Sequence, residues 1–354
     1  MKSFLKYTLA GWLFVLVLSS VACRQQRDLS YELSVVAESG ELWTGVAVSK
    51  GGRIFVNYPR WTMAETTSVA ELIRSNERRP FPDERWNVWD PTLSPREHFV
   101  CVQSVYVDDE DNLWILDPAN AEFRGVVPGG AKLVKVNLRS DQVTQMIPFD
   151  SSIAPSASYL NDVRVDTRTR FAYITDSGLG AIIVVDLRTG RARRVLHSHH
   201  STKAEDTTFV VEGITLRAKI NSDGLALDPS REYLYYQALT SHSLYRIKTA
   251  WLQDFSLSDL QLGEKVEFVA KTGIADGLEF DRDGNLYLTS LEYNAIRRYT
   301  PAGNIEIVVQ DSALKWPDSF SITAEGEIYV TTSQLHLGSG RTQPYQIFKL
   351  QEMD

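Results

Sequence analysis

Apolar and polar residues alternate in short stretches along most of the chain after residue 36. The stretches are rich in Val, Ile, Leu and aromatic residues, and turns rich in Asp, Gly, Asn or Arg separate them. Alternation with a period of two is typical of β-strands, whereas helices repeat about every 3.6 residues. Turns such as Asp-Gly-Asn at 283–285 suit tight hairpins, because Gly and Asn tolerate positive φ. The pattern therefore predicts consecutive antiparallel hairpins.

Six hairpin units follow one another and share one arrangement. In each unit a polar residue begins a first strand, a turn follows, and a second strand contains aromatic or β-branched residues. The first strands begin at Thr44, Gln103, Asn161, Asp223, Asp276 and Asp318. Most units continue into a third strand and several into a fourth, so the repeat is roughly 40–60 residues long. This repeat predicts an all-β fold, a six-bladed β-propeller with four-stranded antiparallel blades.

Long helices are not expected in this chain. An α/β fold would require helices of about ten or more residues between its strands, and only residues 249–259 show a helix-like pattern. Ser256 and Ser258 interrupt that pattern, so we predict an insertion within the fourth blade. The chain has 43% hydrophobic and 23% charged residues, an ordinary composition for a folded domain, which argues against bulk disorder.

The charge of the chain argues against a partner with a phosphate backbone. The net charge is −8, and the local basic cluster of Arg191, Arg193 and Arg194 is typical of a solvated strand face. We therefore expect no nucleic-acid partner. We expect a monomer that binds a small-molecule ligand.

The first 22 residues have the pattern of a secretory signal peptide. Lys2 and Lys6 precede an apolar run at 9–18, and small residues follow at 19, 20 and 22. This order of basic, apolar and small residues is that of an export signal, and the apolar run is too short to span a bilayer comfortably. An uncleaved N-terminal anchor is the alternative. We divide the chain into a signal peptide at 1–22, a tether at 23–36 and a propeller at 37–354.

Cys23 follows Ser20-Val21-Ala22, which is similar to a bacterial lipobox, although Ser20 stands where Leu is usual. Lipidation at Cys23 predicts a periplasmic, outer-membrane or cell-surface lipoprotein that touches the membrane only through its lipid. Simple cleavage after Ala22 predicts a secreted protein instead. Cys101 is the only other cysteine, and we predict a small buried residue on a strand rather than a nucleophile.

The six residues that begin the first strands are candidates for an axial ligand site. In a propeller these positions face the central channel, and here all six are polar: Thr44, Gln103, Asn161, Asp223, Asp276 and Asp318. Carboxylates that converge repel one another unless a cation or a proton lies between them. Asp223, Asp276 and Asn161 could hold a divalent cation, Ca²⁺ before Mg²⁺. The same oxygens could hold an amine, or each Asp could instead cap its own turn.

Other catalytic patterns are weaker. The chain has no Gly-x-Ser-x-Gly elbow, phosphate-binding loop or dinucleotide fingerprint. Ser241, His242 and His336 lack the spacing of a hydrolase triad. The aromatic residues near blade ends are predicted to pack in the core or within the blades, and the alternative is that some of them wall the ligand cavity; they include Trp61, Tyr159 and Trp316.

Several segments resemble the major royal jelly protein/yellow family. Residues 172–178 (Ala-Tyr-Ile-Thr-Asp-Ser-Gly) and 182–187 carry the resemblance, together with 113–117, 159–166, 223–227 and 316–320. The resemblance implies a largely secreted six-bladed propeller. Some insect members bind biogenic amines in the axial cavity, and others are linked to dopachrome conversion. This chain lacks the paired cysteines of the insect proteins, so their disulfides are not expected here.

A more distant resemblance is to gluconolactonase/senescence-marker propellers, which hydrolyse lactones with an axial divalent metal held by Glu, Asn and Asp. Asp223 and Asp276 fall where the Asn and Asp ligands would lie. Thr44 falls where the ligand Glu should be, and it cannot replace a carboxylate.

Our functional hypothesis is an exported, lipid-anchored propeller that binds an amine, a catechol or a sugar-derived molecule in its axial funnel. The alternatives are a metal-dependent lactonase-like hydrolase and a dopachrome-type tautomerase. For a tautomerase the candidate general bases are Asp318 and Asp276. An interaction scaffold ranks last, because the sequence shows no large apolar surface.

Overall fold

The computed structural model describes residues 31–62, 67–75 and 77–352. The predicted signal peptide at 1–22 and the predicted lipidation site Cys23 lie outside these residues. Among the described residues, none of the helices has the length and apolar character needed to cross a bilayer.

The chain forms six four-stranded antiparallel sheets arranged as blades. It begins with β1 (Tyr31–Ser39). The first blade consists of β2 (Val46–Val48), β3 (Ile54–Asn57), β4 (Val69–Arg74) and β5 (Glu77–Pro80), and helix α1 (Glu84–Asn87) follows it. The second consists of β6 (Ser104–Val107), β7 (Asn112–Asp117), β8 (Lys132–Asn137) and β9 (Gln142–Pro148). The third consists of β10 (Leu160–Asp166), β11 (Phe171–Asp176), β12 (Ala181–Asp186) and β13 (Ala192–Val195).

A separate two-stranded hairpin precedes the fourth blade and consists of β14 (Thr208–Val211) and β15 (Ile214–Arg217). The fourth blade consists of β16 (Ser222–Leu227), β17 (Tyr233–Ala238), β18 (Ser243–Lys248) and β19 (Glu267–Lys271). The predicted insertion in this blade is present as α2 (Thr249–Gln253) and α3 (Asp259–Gly263). The fifth blade consists of β20 (Ala275–Phe280), β21 (Leu286–Ser290), β22 (Ala295–Tyr299) and β23 (Ile305–Gln310).

The sixth blade closes the ring with strands from both ends of the described chain. It consists of β24 (Pro317–Ile322), β25 (Ile328–Thr332), β26 (Tyr345–Glu352) and β1. β1 pairs antiparallel with β26, and Tyr31 lies opposite Glu352. Residues 31–36, which the sequence analysis assigned to the tether, therefore belong to the propeller, because they pair with the otherwise open edge of the last sheet.

The hydrophobic core lies between the blades. Trp114 and Leu133 of the second blade pack in one buried cluster with Val163 and Ile183 of the third. Each inner strand (β2, β6, β10, β16, β20 or β24) also contacts the inner strands of the two neighbouring blades. The six inner strands therefore surround a common axis, and the predicted six-bladed propeller is confirmed.

Candidate functional site

Four inner strands carry a β-bulge at the predicted site residues. The pairing register shifts after Leu160 in β10, after Ser222 in β16, after Ala275 in β20 and after Pro317 in β24. The bulges contain Asn161, Asp223, Asp276 and Asp318. A bulge leaves a residue out of the ladder and re-aims its side chain. The side chains of these four residues therefore do not follow the alternation of the strand, and all four line one axial cavity.

The glycines that follow two of these aspartates have a packing role. A Cβ atom on Gly224 would lie 2.3 Å from the carbonyl oxygen of Asp276, and one on Gly277 would lie 2.2 Å from that of Asp318. The backbone of the next blade thus occupies the space that a side chain would need. The repeated Asp-Gly pair combines a cavity-lining carboxyl group with a close contact between neighbouring inner strands.

Threonines on the second strands support the bulges. The Thr289 hydroxyl accepts hydrogen bonds from the backbone N–H groups of Asp276 (3.0 Å) and Gly277 (2.8 Å). In the third blade the Thr175 hydroxyl accepts from Asp162 N–H and donates to the carbonyl of Asp223. In the sixth blade Thr331 bonds in the same way to Ser319 and Thr44. This role was not predicted from the sequence, although the three threonines occupy equivalent positions in their units.

The axial cavity has a volume of about 740 Å³. Five of the six predicted residues line it, namely Gln103, Asn161, Asp223, Asp276 and Asp318. Thr44 does not line it. Its hydroxyl donates to the carbonyl of Gln103 (3.1 Å) and accepts from the Asn57 side chain (2.8 Å), so Thr44 joins the first blade to the second.

Three buried carboxyl groups line the cavity close to one another. Burial, followed by the negative charge of Asp276, raises the pKa values of Asp223 and Asp318 well above their usual range. Burial raises the pKa of Asp276 to about 7, although a hydrogen bond from Trp316 lowers it. The carboxyl groups of Asp223 and Asp276 interact directly: Asp276 raises the pKa of Asp223, whereas Asp223 lowers that of Asp276. A shared proton or a bound cation is therefore needed to stabilise this group near neutral pH.

Asp162, the second residue of the β10 bulge, does not line the axial cavity, although its negative charge raises the pKa values of Asp223, Asp276 and Asp318. Its carboxylate accepts a hydrogen bond from the Ser104 hydroxyl (3.0 Å). Nearby, the buried guanidinium of Arg164 lies 3.0 Å from the Glu279 carboxylate. Arg164 and Glu279 line a second cavity of about 460 Å³, and they do not line the cavity of the three carboxyl groups. The largest charge effects on Asp223 and Asp318 come from other carboxylates, not from Arg164.

Aromatic side chains form one wall of the axial cavity. The Phe123 ring lies 5.6 Å from the Trp61 ring and 5.2 Å from the Tyr159 ring, between centroids. The Tyr159 hydroxyl donates to Gln103 Oε1 (2.9 Å) and accepts from the Trp61 indole. Trp61, Tyr159 and Trp316 line the cavity, which is the alternative that the sequence left open for them beside packing within the blades. The sequence analysis did not single out Phe123, which is 60% exposed.

Cys101 lies beside this wall. It is fully buried, as predicted, but it lies three residues before β6 rather than in a strand. Burial raises the pKa of its thiol to about 12. The thiol is therefore protonated near neutral pH and is not an activated nucleophile.

The cavity does not match the metal pattern of the lactonases. Across the described ranges, no group of three or more His, Cys, Asp or Glu side chains has the arrangement of a metal site. Thr44, at the position expected for the ligand Glu, has its hydroxyl engaged with backbone and amide groups. Carboxylate and amide oxygens suit Ca²⁺ chemically. The Ca²⁺ site at Asp223, Asp276 and Asn161 stays a prediction to which the geometry adds nothing.

Comparison with known sequences identifies close to three quarters of the chain as one family. The model described as "Major royal jelly protein" matches residues 100–353. Major royal jelly protein 8 of Apis mellifera is 25% identical over 255 residues, which cover 66% of this chain and 58% of the relative. For major royal jelly protein 2 of Apis mellifera the identity is 23% over 208 residues, covering 57% of this chain and 40% of the relative. The matches thus span about half the length of these relatives.

Comparison with solved structures shows the same propeller architecture. A gluconolactonase from Xanthomonas campestris superposes with a TM-score of 0.56 at 12% identity, over 91% of this chain and 90% of that one. A luciferin-regenerating enzyme gives a TM-score of 0.57 at 9% identity, over 91% and 95% of the two chains. Likeness at such low identity shows the fold alone. From the family match, the chain belongs to the major royal jelly protein family.

Proposed function

We propose that this protein is exported and binds a small aromatic amine in its axial cavity. The observation that carries the proposal is the group of three buried carboxyl groups, Asp223, Asp276 and Asp318, whose pKa values are all raised. A cation that replaces the shared proton would stabilise such a group. Export, and a lipid anchor at Cys23, are supported by the pattern of residues 1–23, and fractionation of the native host would test them.

The shape of the cavity favours an organic cation that carries a ring. A volume of about 740 Å³ is in the range of sites for small molecules. The wall formed by Trp61, Phe123 and Tyr159 offers aromatic faces for stacking. An ammonium group beside the carboxyl groups and a ring against this wall would use both features. The resemblance to a family with amine-binding members supports the same ligand class.

Calorimetric titration at neutral pH tests the proposal. We expect dopamine to bind, and catechol, which has the same ring without the ammonium group, to bind at least about 100-fold more weakly. Asp223→Asn should weaken dopamine binding by about 100-fold, because it removes a buried partner of the cation. Asp283→Asn is the matched control, since Asp283 is an exposed turn residue outside the cavity. Equal affinity for dopamine and catechol would contradict the proposal.

A second candidate function is proton transfer on a catechol-derived quinone. One observation favours it, namely the pKa of about 7 at Asp276, because a general acid–base group works best when its pKa lies near the working pH. A dopachrome-type substrate should then tautomerise in the presence of the protein. Asp276→Asn should abolish turnover, and unchanged turnover in that variant would remove Asp276 from the role. The same measurement on Asp318→Asn decides between the two predicted bases.

A further inference from the structure

Trp316 forms a hydrogen bond with the carboxyl group of Asp276 and links this group to side chains outside the cavity. Its indole N–H donates a hydrogen bond to Asp276 Oδ2 at 2.8 Å, and its ring lines the axial cavity. The residue is 3% exposed and has a φ of 54°, a conformation that non-glycine residues rarely adopt. Such a conformation persists only when the surroundings hold it. The contacts of Trp316 therefore help to orient the Asp276 carboxyl group, in addition to the bulge that Thr289 supports.

Two aromatic side chains pack against the Trp316 ring within a larger buried cluster. His336 stacks on it, with ring centroids 6.1 Å apart and an angle of 14° between the planes. Phe209, on β14, packs its ring against it at 5.9 Å and 62°. Phe209 comes from the hairpin β14–β15, which belongs to none of the six blades. The hairpin thus reaches from between the third and fourth blades to the start of the sixth.

Glu212, at the tip of this hairpin, fixes His336. Its carboxylate lies 2.6 Å from His336 Nε2 and also accepts hydrogen bonds from Asn294 (2.9 Å) and Lys315 (3.3 Å). Burial alone would raise the pKa of Glu212, but the hydrogen bonds from His336 and Lys315 lower it, so this group is a carboxylate at neutral pH. The His336 side chain is completely buried, so its ring has little freedom to move away.

The turn that contains Glu212 requires a positive φ, which glutamate rarely adopts. Glu212 and Gly213 form the two-residue connection between β14 and β15, and both have positive φ, 48° and 78°. Asn-Gly is the favoured sequence for a turn of this kind, because Asn tolerates positive φ better than Glu does. A residue that fits its turn poorly but makes three side-chain contacts points to a role in those contacts.

We propose that Glu212 is a positioning residue that, through His336 and Trp316, holds the Asp276 carboxyl group in the orientation that receives the ammonium group of the ligand. The proposal rests on the amine-binding function proposed above. Glu212 does not line the cavity, so it acts on the ligand only through these residues. The carboxyl groups that interact with Asp276 are those of Asp162, Asp223 and Asp318, and all three belong to inner strands rather than to the hairpin.

The test uses the Glu212→Asn variant, because asparagine suits the turn but is too short to reach His336. Mature protein labelled with 5-fluorotryptophan gives one fluorine resonance for each of the seven tryptophans that follow the predicted signal peptide, and Trp316→Phe assigns that of Trp316. We expect Glu212→Asn to shift or broaden the Trp316 resonance and to leave the others in place. Dopamine affinity should fall by about tenfold. Glu232→Asn, the same change at an exposed turn between β16 and β17, is the control.

The Trp316 resonance tests the coupling of Glu212 to Trp316, and the dopamine affinity tests the amine-binding function. If the wild-type protein binds no amine, the proposed function fails, while the Trp316 resonance in the absence of ligand still tests the coupling of Glu212 to Trp316. A Trp316 resonance in Glu212→Asn that is identical to wild type would overturn the positioning role. A shifted resonance with unchanged dopamine affinity would also overturn it, because the orientation of Asp276 would then not matter for the ligand.

Discussion

Asp276→Asn is expected to stabilise the protein at about pH 8 and to remove the share of the pH dependence of its stability that Asp276 contributes beside Asp223 and Asp318. The pKa of Asp276 is about 7 in the folded protein against 3.8 in the reference state, so the protonated form of this group contributes to the free energy of unfolding. Because the folded pKa is the higher one, this contribution is complete below about pH 4 and is lost as the pH rises through 7. Asparagine stays neutral and keeps an oxygen that can accept the Trp316 indole hydrogen bond.

Denaturant unfolding of the two proteins at several pH values between about 4 and 8 measures the effect. The curves should be closest at low pH and should diverge as the pH rises, with the variant more stable. Asp283→Asn, at an exposed turn position, should follow the wild-type curve. If the Asp276→Asn variant lost stability with rising pH as steeply as wild type, the ionisation of Asp276 would not be a cause of that loss.

Such a result would show that a residue of the binding site reduces the stability of the ligand-free protein. Buried groups that are poorly compensated in the free protein are frequent in binding and active sites. Here a cationic ligand would supply the missing positive charge. The same variant should therefore gain stability and lose affinity for an amine.

Gly277→Ala is expected to destabilise the protein by about 3 kcal/mol or more. The added Cβ would lie 2.2 Å from the carbonyl oxygen of Asp318 and 3.1 Å from the Cα of Ser319. Both atoms belong to the backbone of β24, which β25 and the neighbouring inner strands hold in place. The clash can be relieved only by moving two blades apart, and it cannot be relieved by rotating a side chain.

Thermal and denaturant unfolding of Gly277→Ala measure this cost. Gly40→Ala is the control, because a Cβ at Gly40 would meet no atom within 4 Å. Gly224→Ala, with its contact of 2.3 Å to the Asp276 carbonyl, should behave like Gly277→Ala. If Gly277→Ala were as stable as Gly40→Ala, the close contact between these inner strands would not contribute to the free energy of unfolding.

The repeat pattern predicted the fold because each blade needs the same strands and turns. It also placed the six predicted residues within two positions of where the inner strands begin, and five of the six line one cavity. Thr44 differs because Asn57, a side chain on the adjacent strand, engages its hydroxyl. A repeat gives equivalent positions, but it does not indicate which neighbouring side chain engages each of them.

Two other features depend on contacts between segments far apart in the chain. The pairing of β1 with β26 joins residues 31–39 to 345–352, and no local pattern marks that closure. The hairpin β14–β15 lies outside the six units and is held by contacts with the fifth and sixth blades, such as Glu212 with Asn294 and Lys315. Alternation of apolar residues predicts strands, but not the distant partners that such strands find.

The pairing of β1 with β26 also sets how the protein would respond to mechanical load. Tyr31 lies directly opposite Glu352, so a force that draws the N-terminal end away from the sheet loads the backbone hydrogen bonds one after another, beginning at that pair. Bonds that break in sequence resist far less than bonds loaded together in shear. A protein tethered through its N-terminal segment would open first at the sixth blade, while the other five blades kept their strands.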